Sequence, residues 1–225
     1  GTLSTIAIVL LIAPTLIVLL VSFTSGQSLR FPPPGWSLRW YQALLTDSPD
    51  LWRAATLSLQ VAGMATAIST VLAVCGALAL AREPRLWARF LDSVFMSPLM
   101  LPTLALGLGL LVWFNVFGTG VSMVTLVIGH TAITTPYILR TTCASLSQLD
   151  GVLLESAKSL GAGPLFAFRT VTLPLILPGV AAGAFIAFMM SFDNVAISLF
   201  LSDARSEVLP IRLWNIIESN LDVRA

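Results

Sequence analysis

The chain has 225 residues, of which 56% are hydrophobic and only 10% charged. A soluble globular domain carries about 25% charged residues, and the mean hydropathy of +0.91 also excludes an ordinary water-soluble protein. The net charge of +1 says nothing about nucleic-acid or anionic partners, and no basic run is present that could track a phosphate backbone.

The charges are clustered. None occurs in 1–29, 54–81 or 93–139, and about 20 apolar residues suffice for a helix to cross a bilayer. The first expected span is Leu3–Phe23, with Pro14 inside it. Its apolar run exceeds the ~7–15 residues of a signal-peptide core, and no basic leader or clean cleavage site accompanies it. It therefore reads as a true span whose cytoplasmic leader is absent from this sequence. Next comes a polar segment, Thr24 to Asp50. Its F-P-P-P-G run, Phe31–Gly35, cannot be helix or central strand. Trp36, Trp40 and Tyr41 suit a membrane–water boundary, and Ser37 is placed to cap a short surface helix through Leu45.

The second expected span, Trp52–Ala81, is rich in small residues such as Gly63, Ala67 and Gly76, which favour close helix approach. An arginine-rich turn, Arg82–Arg89, follows. The third span is Ser93–Phe117, with Pro98 and Pro102 inside it. A short turn, Phe117–Gly120, leads to the fourth, Val121–Ser145. The fifth is Pro178–Leu201, and a surface helix is expected from Pro210. Five spans are clear and a sixth is undecided. Cys75 and Cys143 read as small buried thiols. Alternate loops split the basic residues evenly. Arg82, Arg85, Arg89, Arg140, Lys158 and Arg169 face one side; Arg30, Arg39, Arg53, Arg205, Arg212 and Arg224 face the other. Charge alone leaves the orientation open.

The connection Leu146–Leu177 is too long and too well patterned for a plain loop. Leu153, Leu154, Ala157 and Leu160 recur at helical spacing behind a capping Asp150. Gly161 stands where a left-handed C-terminal cap belongs, and Gly163-Pro164 reads as a restart. Leu165, Phe168 and Val171 share one face of a second helix. The pattern predicts two short amphipathic helices with a kink at Gly161–Gly163, of a kind that docks in a groove or lies on a membrane.

Those residues resemble the signature E-A-A-x3-G-x9-I-x-L-P of bacterial ABC importer permeases. Glu155-Ser156-Ala157 is followed after three residues by Gly161, and after nine more by Val171-Thr172-Leu173-Pro174. Ser156 and Val171 are mild departures. The resemblance implies an all-α membrane protein of the type I importer permease fold, with about six transmembrane helices and a single permease domain over 1–225. It implies that Glu155, Ser156, Ala157, Leu160, Gly161, Val171, Leu173 and Pro174 form the cytoplasmic coupling surface for an ATPase. It also implies two ATP-binding subunits, a second permease and an extracytoplasmic solute-binding protein, in a bacterial inner membrane. ATP and Mg would belong to the ATPase; this chain would carry no cofactor, and it has no G-x-x-x-x-G-K-[ST] phosphate loop.

Further stretches resemble the spermidine/putrescine branch of that family: Phe31–Tyr41, Ser97–Pro102, Leu160–Phe168, Leu173–Gly179 and Met190–Asn194. They imply a small amino-containing cargo. Aminophosphonates, other organic amines or ferric iron are the alternatives within the class, and a secondary transporter or channel is the alternative outside it. Asp193, with Ser191, Phe192 and Asn194, is the expected substrate path. A carboxylate at such depth usually faces a watery route or a partner, although pairing within the protein accounts for it equally well. The resembling group usually has a second acid where this chain has Asn194. His130 stands near Thr131, Thr134 and Thr135, and reads chiefly as a hydrogen-bonding group between helices. It has no companion at metal-ligand spacing.

Overall fold

The structure is a computed structural model that describes residues 2–26, 30–82, 86–203 and 206–222. The chain is helical, and among the described residues it forms no strand, only an isolated bridge between Thr24 and Trp36. Its contacts group into two units, Gly1–Arg53 and Ala54–Ala225.

The first unit holds α1 (Thr2–Val21) and α2 (Arg39–Thr46). α1 is apolar on all sides and exposes residues such as Leu10 and Leu11, the composition of a helix meant for lipid. The proline-rich connection folds back on itself. Ser25 N–H donates to Gly35 O (2.9 Å) and Ser37 N–H to Phe23 O (2.7 Å). Tyr41 packs its ring on Phe23 at 5.1 Å and shares a hydrogen bond with Ser22 (2.7 Å). Trp40 Nε1 and Arg39 Nη2 both donate to Gly26 O. The N-cap of α2 is Leu38, which offers no side-chain cap, rather than the expected Ser37; the Ser37 hydroxyl instead accepts from Arg39 N–H at 3.1 Å in a local turn just ahead of the helix.

α3 (Pro49–Arg82) is the first long helix. Within the second unit its buried face is a row of small residues, Ala62, Ala65, Ser69, Ala73 and Ala77. Gly63 and Ala67, expected to make close contacts, lie off this row; a side chain at Gly63 would meet nothing within 4 Å. Cys75 is exposed on α3 rather than buried, and both cysteines are free thiols. The centre of the arginine turn, 83–85, lies outside the described residues.

The third expected span is not one rod. α4 (Leu86–Met100) and α5 (Thr103–Val116) meet at 107°. Pro102 has no N–H to continue the ladder, and its ring disfavours helical backbone at Leu101, so the chain breaks there. α6 (Met123–Ser147) follows, started by a reciprocal capping box between Ser122 and Thr125. Then come α7 (Gly151–Ser159) and α8 (Pro164–Ala167). A π-turn, Phe168–Thr172, joins α8 to α9 (Leu173–Phe192), and α10 (Val195–Leu201) and α11 (Leu209–Asp222) complete the chain. Among the described residues, Pro49–Ala81 and Pro164–Phe192 are long and apolar enough to cross a membrane, and the bent pair makes a third if read as one span.

α6 is the axis of the second unit. Its N-terminal part joins an apolar cluster with Val61, Phe114, Ile197, Leu201 and Val208. Its C-terminal part joins a second cluster with Ala73, Ala77, Met96 and Ala187. α9 lies antiparallel along α6, and the two approach closely because Gly179, Gly183, Ala187 and Ser191 recur every four residues on one face of α9. The built Cβ position at Gly183 is 2.8 Å from Ile138 Cα, and that at Gly179 is 2.9 Å from Thr141 O. Where α4 meets α6, Arg140 pairs with Asp92 at 3.6 Å and donates to Met96 Sδ at 3.1 Å.

Candidate functional site: a docking hairpin joined to a helix break

The hairpin begins as expected. Asp150 caps α7, its carboxylate accepting from Val152 N–H at 3.0 Å. α7 ends in the double hydrogen bond of a Schellman turn: Gly161 N–H donates to Lys158 O (2.9 Å) and Ala162 N–H to Ala157 O (3.0 Å). This turn needs a left-handed residue, and Gly161 has φ +83°.

The second helix differs from the expectation. It is not separate and short, and the span after it does not start at Pro178. Helix runs without interruption from Pro164 to Phe192, 29 residues, about 44 Å at 1.5 Å per residue. Pro174 is the physical reason for its π-turn. In a plain α-helix its ring would press on the carbonyl four residues back. The widened turn absorbs this, with Leu173 N–H reaching back to Phe168 O. Val171, Leu173 and Pro174 therefore belong to the foot of a long rod.

The hairpin surface is apolar around one acid. Val152, Leu153, Leu160, Leu165 and Phe166 are exposed, Leu160 by 89%. Glu155 and Ser156 are exposed beside them while Ala157 is half-buried. Glu155 makes no ion pair among the described residues. A patch of this kind on a rigid hairpin is built for a partner.

The far end of the rod is the helix break. Asp193 closes α9, its N–H donating to Met189 O at 3.1 Å. Asn194 opens α10, its Oδ1 accepting from Ile197 N–H at 2.8 Å. Of the four expected path residues, Asp193 alone is exposed. Ser191 is buried against His130. Phe192 is half-buried and stacked on Phe188 at 6.1 Å, and the Asn194 side chain serves the cap. α10 is held against α5 because Gly107 lets Phe200 and the Ala196 carbonyl come close.

His130 does join helices. Its Nδ1 is 2.8 Å from Ser191 Oγ and its Nε2 is 3.2 Å from Ser198 Oγ. Sequence reading gave it no partner on α9 or α10: Ser191 is marked only as an expected path residue, and Ser198 is not marked at all. The small-residue row ending at Ser191 was the available signal. On the other flank of α6, Ser69 shares a hydrogen bond with Thr134 (2.7 Å) and accepts one from Thr135 (3.1 Å). A cleft of about 410 Å³ opens between α3, α4 and α6, lined by residues such as Ile68, Leu72, Val94, Phe95 and Val127. No charged group lines it, so it does not suit a cation.

Comparison with known proteins agrees with this architecture. The chain is 31% identical over 223 residues to the putrescine transport system permease protein PotI of Escherichia coli (strain K12), covering 94% of this chain and 77% of that one. It is 30% identical over 187 residues to the spermidine/putrescine transport system permease protein PotC of Haemophilus influenzae, covering 83% and 72%. A crystal structure of a bacterial ABC transporter involved in import of the acidic polysaccharide alginate superposes with a TM-score of 0.70 at 17% identity. That match covers 95% of this chain and 76% of the other, and at this identity it speaks for the fold. The family model for the inner membrane component of binding-protein-dependent transport systems matches residues 70–215. This chain, a multi-pass inner membrane protein with an ABC importer permease fold, belongs to that family.

Proposed function

We propose that the chain carries a polyamine, or a similar small amino-containing cation, into the cytoplasm by alternating access, as a single permease domain. The likeness to putrescine and spermidine/putrescine permeases supports the cargo class. One structural observation carries the mechanism. A single 29-residue helix connects the docking hairpin to the exposed carboxylate of Asp193.

In this reading the exposed apolar patch seats on an ATPase, and Glu155 meets a basic group there. Two ATPases, a second related permease and an extracytoplasmic solute-binding protein complete the importer. ATP and Mg sit on the ATPases, and this chain holds no cofactor. Closure of the ATPases pushes on α7, and Gly161 fixes the angle at which that push enters the rod. Ser156, Ala157, Leu160, Val171, Leu173 and Pro174 shape the same foot. At the other end Asp193 and the adjacent Phe192 face the cation, while Ser191 and Asn194 hold the break in shape. A carboxylate is the group that attracts an ammonium.

The test is ATP-dependent uptake of radiolabelled putrescine by the importer in liposomes. Asp193→Asn is expected to reduce uptake roughly tenfold or more, the loss of one charge-assisted contact, with the ATPase still co-purifying. Equal uptake by the variant removes Asp193 from the path, and uptake without ATPase refutes the energy source. Glu155→Ala is expected to weaken ATPase co-purification while leaving the purified permease as heat-stable as the parent, because an exposed acid contributes little to the fold.

A further inference from the structure

We infer that His130 is a positioning residue for the substrate path. Through Ser191 and Ser198 it fixes the angle of the α9–α10 break on which Asp193 stands. This inference rests on the reading of Asp193 as part of that path.

His130 is 1% exposed, so it does not touch cargo in this conformation. It sits on α6, opposite the break. Ser191 belongs to the last turn of α9 and Ser198 to the first turn of α10. The imidazole therefore holds one helix with each nitrogen, at 2.8 Å and 3.2 Å.

The network also has a direction. Ser198 Oγ donates its proton to Asn194 O at 2.7 Å. A hydroxyl has only one proton, so toward the ring Ser198 accepts, and Nε2 carries the hydrogen. In the neutral ring Nδ1 is then the acceptor, and Ser191 donates to it. The chain of hydrogen bonds runs from Ser191 through His130 and Ser198 to the carbonyl of Asn194. That carbonyl belongs to the residue immediately after Asp193.

The other backbone groups at the break are also committed. Asp193 N–H is bonded to Met189 O, and the Asn194 side chain caps Ile197 N–H. Among the described residues these links at the break are short and local, whereas the one through His130 anchors the break to α6. Ile197 and Leu201, on the same helix as Ser198, are fully buried. In such surroundings an unpaired hydroxyl or imidazole nitrogen is costly, so the two serines have strong reason to keep the ring between them.

The experiment places a reporter on the break. Asp193→Cys is made in a Cys75→Ala, Cys143→Ala background of the assembled importer. Its labelling rate is measured with a membrane-impermeant cationic methanethiosulfonate. Adding His130→Leu, which deletes both arms, is expected to change that rate by roughly tenfold, since thiol reactivity follows local exposure and field. His130→Gln, which supplies a donor and an acceptor at similar reach, is expected to restore the rate to within about twofold of the parent. Ser198→Ala, which cuts one arm, is expected to fall between. ATPase co-purification reports that the fold is intact. An unchanged rate in His130→Leu overturns the inference. If that variant does not assemble, an unchanged rate in Ser198→Ala overturns it instead. Protection of the Asp193→Cys thiol by putrescine separates the two readings: a rate that depends on His130 without protection defeats the path assignment and leaves the positioning role standing.

Discussion

Replacing Gly183 with leucine is expected to prevent α6 and α9 from packing and to cost the permease most of its folded yield. A Cβ at this position lies 2.8 Å from Ile138 Cα and overlaps Thr141 Oγ1. The first of these neighbours is backbone, which has no rotamer to change. The helices must separate, and the loss spreads along the row that also includes Gly179, Ala187 and Ser191. Overpacking a tight interface costs about 1–3 kcal/mol, and here the whole length of the contact is affected. Because lipid solvates apolar side chains as well as another helix does, close packing is a large part of what holds such helices together. The check is thermal unfolding of the purified permease in detergent, with Gly109→Leu as control. Gly109 is exposed on α5 with nothing within 4 Å of its built Cβ, and its substitution is expected to stay within about 0.5 kcal/mol of the parent. Equal stability of both variants would show that the α6–α9 row is not what holds the unit.

Gly161→Val is expected to have the second large effect, on coupling rather than on folding. Nothing lies within 4 Å of a Cβ built at Gly161, so sterics with neighbours play no part. The penalty is conformational. A left-handed φ of +83° costs an L-residue about 1–2 kcal/mol, and more when the side chain is β-branched. The Schellman turn is then released, and α7 loses its fixed angle to the rod. ATPase co-purification and ATP-dependent uptake are both expected to fall, while unfolding of the purified permease stays close to the parent. Gly161→Asn should recover part of the function, since asparagine tolerates this backbone region better than other side chains. Full coupling in the valine variant would show that the hairpin angle is not what transmits the stroke.

Much of this was legible in the residues themselves. Asp150 and Gly161 announce both ends of α7 through local hydrogen-bonding chemistry, and the structure uses both. The expected spans Leu3–Phe23, Trp52–Ala81 and Val121–Ser145 match α1, α3 and α6 to within a few residues. The features that stayed hidden depend on what lies across from them. Pro98 and Pro102 look alike as prolines in one apolar run, yet only Pro102 turns the chain, because α4 and α5 each have somewhere else to pack. The rod that ends in α9 starts at Pro164, fourteen residues before the expected Pro178. The stretch before Pro178 is expected as part of the connection Leu146–Leu177, whereas the π-turn lets helix pass Pro174 and continue through Pro178. The exposure of Cys75 and the idle positions of Gly63 and Ala67 follow from which face of α3 meets α6, and an evenly apolar helix gives no clue to that. His130 was visible as a polar outlier, but its serines were not, since a serine signals nothing until its neighbour is known.

The widened turn at Phe168–Thr172 has a bearing on how length variation can be tolerated. In a uniform helix, removing one residue rotates everything beyond it by about 100°, enough to swing the glycine row away from α6. A π-turn already holds one residue more than an α-turn needs. The docking foot and the glycine row therefore keep the relative bearing they would have in a uniform α-helix one residue shorter. The rod behaves as two correctly phased segments joined by a one-residue spacer. A residue lost from this turn leaves both faces on their bearings provided Pro174 is replaced as well, since a plain α-turn sets its ring against a carbonyl.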